Sequence, residues 1–149
     1  MAKTERNSER ERLVRAAAKA RLKAVATYSG FKVGAAVLTR TGQIITGANV
    51  ESISFGLTCC AERVALFTAL TRGKRDIVGI AVVARAPGGP MPCGACRQLL
   101  AEYALNGKVW VADSADLARV REFSVSALMP VPFAGPLPSP GAVAGAGGV

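Results

Sequence analysis

Cys60 and Glu62, with Cys93 and Cys96 following about thirty residues later, are the residues whose types and spacing could do chemistry. They stand in Thr58-Cys59-Cys60-Ala61-Glu62-Arg63 and Pro92-Cys93-Gly94-Ala95-Cys96. Three thiolates can hold one zinc ion and leave the fourth tetrahedral position to water, as a catalytic site requires. Glu62, which is not needed as a ligand, can then take a proton from that water and return it to a leaving group. The sequence contains no histidine, so no imidazole serves as ligand or base. The implied chemistry is hydrolytic.

The spacing also says what must position these groups. Cys93 and Cys96 are three apart, which puts both side chains on one helix face. Cys60 and Glu62 are two apart and on a regular helix would point about 200° from each other. They converge only if Cys60 lies at a helix start, so the pattern predicts two helix N-termini aimed at one metal. Three thiolates on Zn²⁺ carry a surplus negative charge. The positive helix ends and the neighbouring Arg63 offset it.

Other readings of the cysteines are open. A closed structural site would take Cys59 as a fourth ligand, although adjacent cysteines reach one ion at poor tetrahedral geometry. Cys93-Gly94-Ala95-Cys96 alone could be a redox motif, which leaves Cys60-Ala61-Glu62 unexplained. Cys59 by itself reads as a small core residue.

Around the motifs, the sequence alternates helices and strands. Leu13, Ala17, Ala20 and Ala24 mark an amphipathic helix over 8–26. A strand at 32–39 contains Gly34, Ala35 and Ala36, small residues that let a helix or a ligand approach the backbone. Thr41-Gly42 turns into a strand at 43–48, followed by a polar loop over 49–58. The helix at 60–72 is apolar nearly all round and must be buried on most sides. The run 77–84 is a central strand, and Pro-Gly-Gly-Pro leads into a helix that starts at Cys93 and closes at Asn106-Gly107. Strands at 108–113 and 119–124 complete the pattern. The expectation is α/β: a three-layer α/β/α fold around one mixed sheet of five strands in a domain of residues 1–135. Residues 136–149 form a Pro/Gly-rich tail expected to be disordered or draped over a surface.

Composition narrows the setting. The 149 residues are 50% hydrophobic and 19% charged, as in a globular protein. Neither an export signal nor a membrane span is legible, so a reducing, cytoplasmic compartment is expected, with thiols as ligands rather than disulfides. The net charge is +9, but residues 1–23 hold eight Lys/Arg against Glu5, Glu9 and Glu11. A basic helix face is ordinarily just solvated, and with 5% aromatics there are few platforms for stacked bases. Nucleic acid is therefore not the expected partner.

Four stretches in order resemble the small homotetrameric zinc-dependent cytidine deaminases, from 13 to 133. They are Tyr28-Ser29-Gly30-Phe31-Lys32-Val33-Gly34-Ala35-Ala36, Gly47-Ala48-Asn49-Val50-Glu51, Cys60-Ala61-Glu62-Arg63 and Pro92-Cys93-Gly94-Ala95-Cys96-Arg97-Gln98. The last two carry the zinc deaminase signature in its all-cysteine form. The resemblance implies one zinc per chain on Cys60, Cys93 and Cys96, Glu62 as proton shuttle, and Arg63 hydrogen-bonded to the thiolates. It implies further that Asn49 and Glu51 bind the ribose hydroxyl, that Phe31 packs on the base, and that Ala61 belongs to the substrate site. An aromatic in the tail, here Phe133, would reach a neighbouring subunit's site. Read without the resemblance, Asn49 and Glu51 are loop polars and Phe31 is a core residue. Ala48 and Phe55 replace a common Cys and Tyr, and the Pro/Gly tail replaces a more regular end.

The reading is hydrolytic deamination of cytidine or deoxycytidine to the uridine and ammonia by a zinc-bound hydroxide, in pyrimidine salvage. Two alternatives stand beside it. One is a deaminase of another aminated base or nucleoside, including the blasticidin type, against which Asn49 and Glu51 argue. The other is a basic, non-catalytic zinc module that binds nucleic acid.

Overall fold

The run 77–84 can be apolar from end to end only if both of its faces are covered. In the computed structural model, which describes residues 3–135, it is the middle strand of five. The strands are β1 (Val33–Thr39), β2 (Ile44–Ala48), β3 (Ile77–Ala84), β4 (Lys108–Asp113) and β5 (Asp116–Ser124), in the order β2-β1-β3-β4-β5. β1 runs antiparallel to β2 and β3, β3 is parallel to β4, and β4 is antiparallel to β5. The one parallel pair needs a crossover, and that crossover carries the helix α3 (Gly94–Tyr103).

Helix α1 (Lys3–Arg21) covers one face of the sheet, where Leu13, Val14 and Ala17 pack on Ala36, Leu38, Ala81, Val83 and Ala112. Helix α2 (Ala61–Thr71), α3 and the short α4 (Val125–Leu128) cover the other, around Val37, Ile80, Val82, Val109 and Val111. The result is the expected three-layer arrangement. Its small strand residues serve helix packing: a Cβ at Gly34 would overlap the Ala17 carbonyl and the Arg21 backbone on α1. One at Gly47 would overlap α2, lying 2.9 Å from the Ala61 carbonyl.

Several boundaries and one short element differ from the sequence reading, and α1 begins at Lys3 rather than at 8. α1 stops at Arg21 because Val25 is taken by a bridge: its N–H donates to Asn49 O, and Glu51 N–H donates to its carbonyl, both at 2.9 Å. Ala24 therefore lies beyond the helix. α3 ends at Tyr103, before Asn106-Gly107, with Gly107 N–H returning to Ala104 O. β5 begins at Asp116, three residues early, so that Leu117 can join Val120 against the α1 layer. α4 has no counterpart in the sequence reading, being one turn capped by Ser124 Oγ, which accepts from Ala127 N. The expected tail, 136–149, lies outside the described residues.

Candidate active site

Both cysteine motifs sit where their spacing put them. Cys60 is the N-cap of α2 and Cys93 the N-cap of α3, each with extended backbone and no side-chain cap. Their sulfurs thus look off the positive ends of two helices, which favours the thiolate form. Cys60 Sγ lies 3.8 Å from Cys93 Sγ, which lies 3.6 Å from Cys96 Sγ, and all three sulfurs fall within 4.8 Å of one another. Thiolates on one tetrahedral zinc, at Zn–S distances of about 2.3 Å, stand about 3.8 Å apart. The Cys60–Cys93 and Cys93–Cys96 separations match that spacing, so the three cysteines are placed to hold the ion.

The electrostatics suit the same chemistry. Hydrogen bonding with Cys96, and then with Arg63 and Cys93, pulls the Cys60 thiol down to about 5 against the cost of burial. The same pairing pushes Cys96 up. Arg63 donates to Thr58 O at 3.0 Å and to Cys60 Sγ at 3.6 Å. Glu62, 6% exposed, is pushed up to about 7 chiefly by burial, with the Cys60 charge adding to it. A carboxyl poised near neutrality can both take and give a proton. Cys59 is half-buried, and its thiol is raised by desolvation.

A second group of residues meets this one through backbone pairing. Val50 and Cys59 form an antiparallel bridge, with N–H to O distances of 3.0 and 2.9 Å. Such pairing sets Asn49 beside Cys60 and Glu51 beside Thr58. Asn49 is buried and ties the loop before β1, accepting from Val33 N at 2.8 Å and donating to Phe31 O at 2.9 Å. Glu51 Oε1 accepts from Tyr28 N and Ser29 N at 2.9 and 3.0 Å, and Oε2 from Ser29 Oγ at 2.5 Å. These bonds, the Ser29 hydroxyl foremost, hold Glu51 below the usual carboxylate range. Tyr28, Ser29, Glu51, Ser52, Phe55 and Thr58 line an open depression of 370 Å³.

The remaining sequence-named residues fall as follows. Phe31 is 44% exposed and so is not core. Ala61 is fully buried, so only its backbone at the α2 N-terminus could meet a ligand. Phe133 is 78% exposed, while its backbone is pinned to α3: its N–H donates to Gln98 Oε1 at 2.9 Å and its carbonyl accepts from Gln98 Nε2 at 2.8 Å. The positioning residues Ser29, Thr58 and Gln98 were not singled out from the sequence. Ser29 and Gln98 act on partners distant in the chain, Glu51 and Phe133, and their one signal is that they lie inside matching stretches; Thr58 acts locally, its carbonyl accepting from Arg63 and its hydroxyl from Ser52 N.

Three sulfurs and a buried carboxyl at two helix N-termini of an α/β/α sandwich define a hydrolytic zinc site. Residues 7–112 match the family model of the cytidine and deoxycytidylate deaminase zinc-binding region. Over 126 residues the chain is 46% identical to a cytidine deaminase of Halalkalibacterium halodurans, covering 84% of this chain and 94% of that protein. A cytidine deaminase of Sporosarcina psychrophila is 42% identical, with 83% and 90% covered. Among solved structures, the cytidine deaminase from Burkholderia pseudomallei superposes with a TM-score of 0.78 at 45% identity, covering 82% of this chain and 97% of that one. The chain belongs to the cytidine and deoxycytidylate deaminase family and binds zinc.

Proposed function

We propose that the protein catalyses hydrolytic deamination of cytidine and deoxycytidine. The observation that carries this is the convergence within 4.8 Å of Cys60, at the α2 end that also holds the buried Glu62, with Cys93 and Cys96 of the α3 end. The three cysteines would hold zinc, which makes a water nucleophilic at neutral pH. Glu62 takes a proton from the attacking water. Oxygen adds at the ring carbon bearing the amine as the adjacent ring C=N bond opens and its nitrogen takes that proton from Glu62. Glu62 then takes the proton of the new hydroxyl and gives it to the amino group; the exocyclic C–N bond breaks, and the carbonyl and ammonia form. Arg63 steadies the Cys60 thiolate throughout, its guanidinium staying charged.

On this reading Phe31 packs on the base, the α2 N-terminus at Ala61 meets the ring, and Asn49 and Glu51 receive the ribose hydroxyl. Residues up to 135 form the deaminase unit. Exposed Phe67 on α2, together with exposed Ile53, Phe55, Leu57 and Phe133, supports burial between copies in a homotetramer, where Phe133 would reach a neighbour's site. Light scattering at micromolar concentration should give a tetramer; a monomer would remove the role given to Phe133. Free thiols suit a reducing compartment, hence cytoplasmic salvage of pyrimidine nucleosides. No described helix is long and apolar enough to cross a membrane.

The test is ammonia release from cytidine, deoxycytidine, free cytosine, blasticidin S and a cytidine-containing oligonucleotide. The two nucleosides should turn over well and the others poorly. Equal kcat/KM for cytosine, cytidine and the oligonucleotide would remove the sugar contact. Turnover of blasticidin S alone would replace the substrate, and no ammonia from any of them would favour a non-catalytic zinc module.

A further inference from the structure

We propose that Ser29 is a positioning residue that presents Glu51 as an acceptor for a single neutral hydroxyl. An ionised carboxylate offers about four lone-pair positions. Among the described residues three are filled: by Tyr28 N and Ser29 N on Oε1, and by Ser29 Oγ on Oε2. One position remains, on Oε2, and the carboxylate borders the depression between Ser29 and Thr58. A sugar hydroxyl can donate there. A phosphodiester cannot, since it has no proton to offer at neutral pH and brings like charge against the carboxylate.

The Ser29 hydroxyl also fixes where that acceptor stands. While donating to Glu51, it accepts from Phe31 N at 3.0 Å, and Asn49 Nδ2 donates to Phe31 O at 2.9 Å. Glu51, Ser29, the Phe31 backbone and Asn49 therefore form one hydrogen-bonded chain. Three residues given ligand roles are held in register by a fourth that needs no ligand contact of its own. Gly30, at φ +70°, lets the backbone fold so that two N–H groups and the hydroxyl reach one carboxylate. Without the hydroxyl, Glu51 keeps its backbone bonds but loses the bond that fixes Oε2, and a hydroxyl donor must then bear the ordering cost.

The inference rests on the sugar-binding reading of Glu51, and its test separates the two. Ser29→Ala, Ser29→Thr, Glu51→Ala and the Ser29→Ala/Glu51→Ala double variant are assayed on cytidine and free cytosine, with thermal unfolding as a check on folding. Ser29→Ala should raise KM for cytidine ~10-fold while kcat and the cytosine kcat/KM stay near wild type, because one charge-assisted hydrogen bond is lost. Ser29→Thr, which keeps a hydroxyl, should restore KM, and the double variant should match Glu51→Ala. If Glu51→Ala loses the preference for cytidine and Ser29→Ala keeps wild-type KM, the Ser29 inference fails and the sugar reading stands. If Ser29→Ala lowers both substrates equally, or Ser29→Thr does not rescue, Ser29 is only structural. If Glu51→Ala keeps the cytidine preference, the sugar reading itself falls.

Discussion

The metal half of this site and the half proposed to take the sugar are built by different means. Cys60, Glu62, Cys93 and Cys96 take their places from two short motifs, each at the first turn of a helix, and the sheet has only to bring those turns together. Phe31, Asn49 and Glu51 take theirs from a web of long-range bonds between the loops at 24–32 and 49–59: the Val25 to Val50 and Val50 to Cys59 bridges, the Asn49 amide and the Ser29 hydroxyl. On the proposed function, chemistry is set by local spacing and selectivity by tertiary hydrogen bonding. Damage to the first should abolish turnover, and damage to the second should change what is turned over.

Cys93→Ser is the severest break. It should empty the zinc site and abolish ammonia release, as metal analysis and turnover would report; full zinc with normal turnover would dissolve the ligand set. Asn49→Ala strikes the second half. It leaves Val33 N without its acceptor in the core, so stability should fall by about 1–3 kcal/mol in denaturant unfolding. Cytidine kcat/KM should drop more than cytosine kcat/KM, while zinc content stays at one per chain. Cys59→Ser should do least, keeping zinc and turnover. A lost metal in that variant would make Cys59 a fourth ligand and the site a closed one.

The same contrast governs what the sequence could say. A Cys-x-x-Cys at a helix start and a cysteine two residues before a glutamate imply geometry by themselves, and the structure reproduces it. The apolar run of β3 likewise announced a central strand. Ser29 and Glu51 are 22 residues apart, and nothing in either local stretch indicates that they are hydrogen-bonded. Asn49 read as a loop polar, but it is buried because its amide replaces a strand partner for Val33. The end of α1 was misplaced for the same reason: Ala24 fits the helical period, yet the bridge at Val25 claims the backbone. Gln98 lies on the helix next to the cysteines, but its pairing with Phe133 spans 35 residues. The exposed Phe31 was legible only through resemblance, since an aromatic beside a strand otherwise reads as core.

The central claim is that Glu62, uncoordinated and buried beside the three sulfurs, carries the proton between water and ammonia. It is tested most directly by measuring ammonia release from cytidine with Glu62→Gln protein whose zinc content has been shown to equal that of wild type. Gln keeps the shape and cannot exchange the proton, so kcat should fall by a factor of about 10²–10⁴ with zinc and nucleoside binding retained. Turnover within a few-fold of wild type at full zinc occupancy would contradict the account.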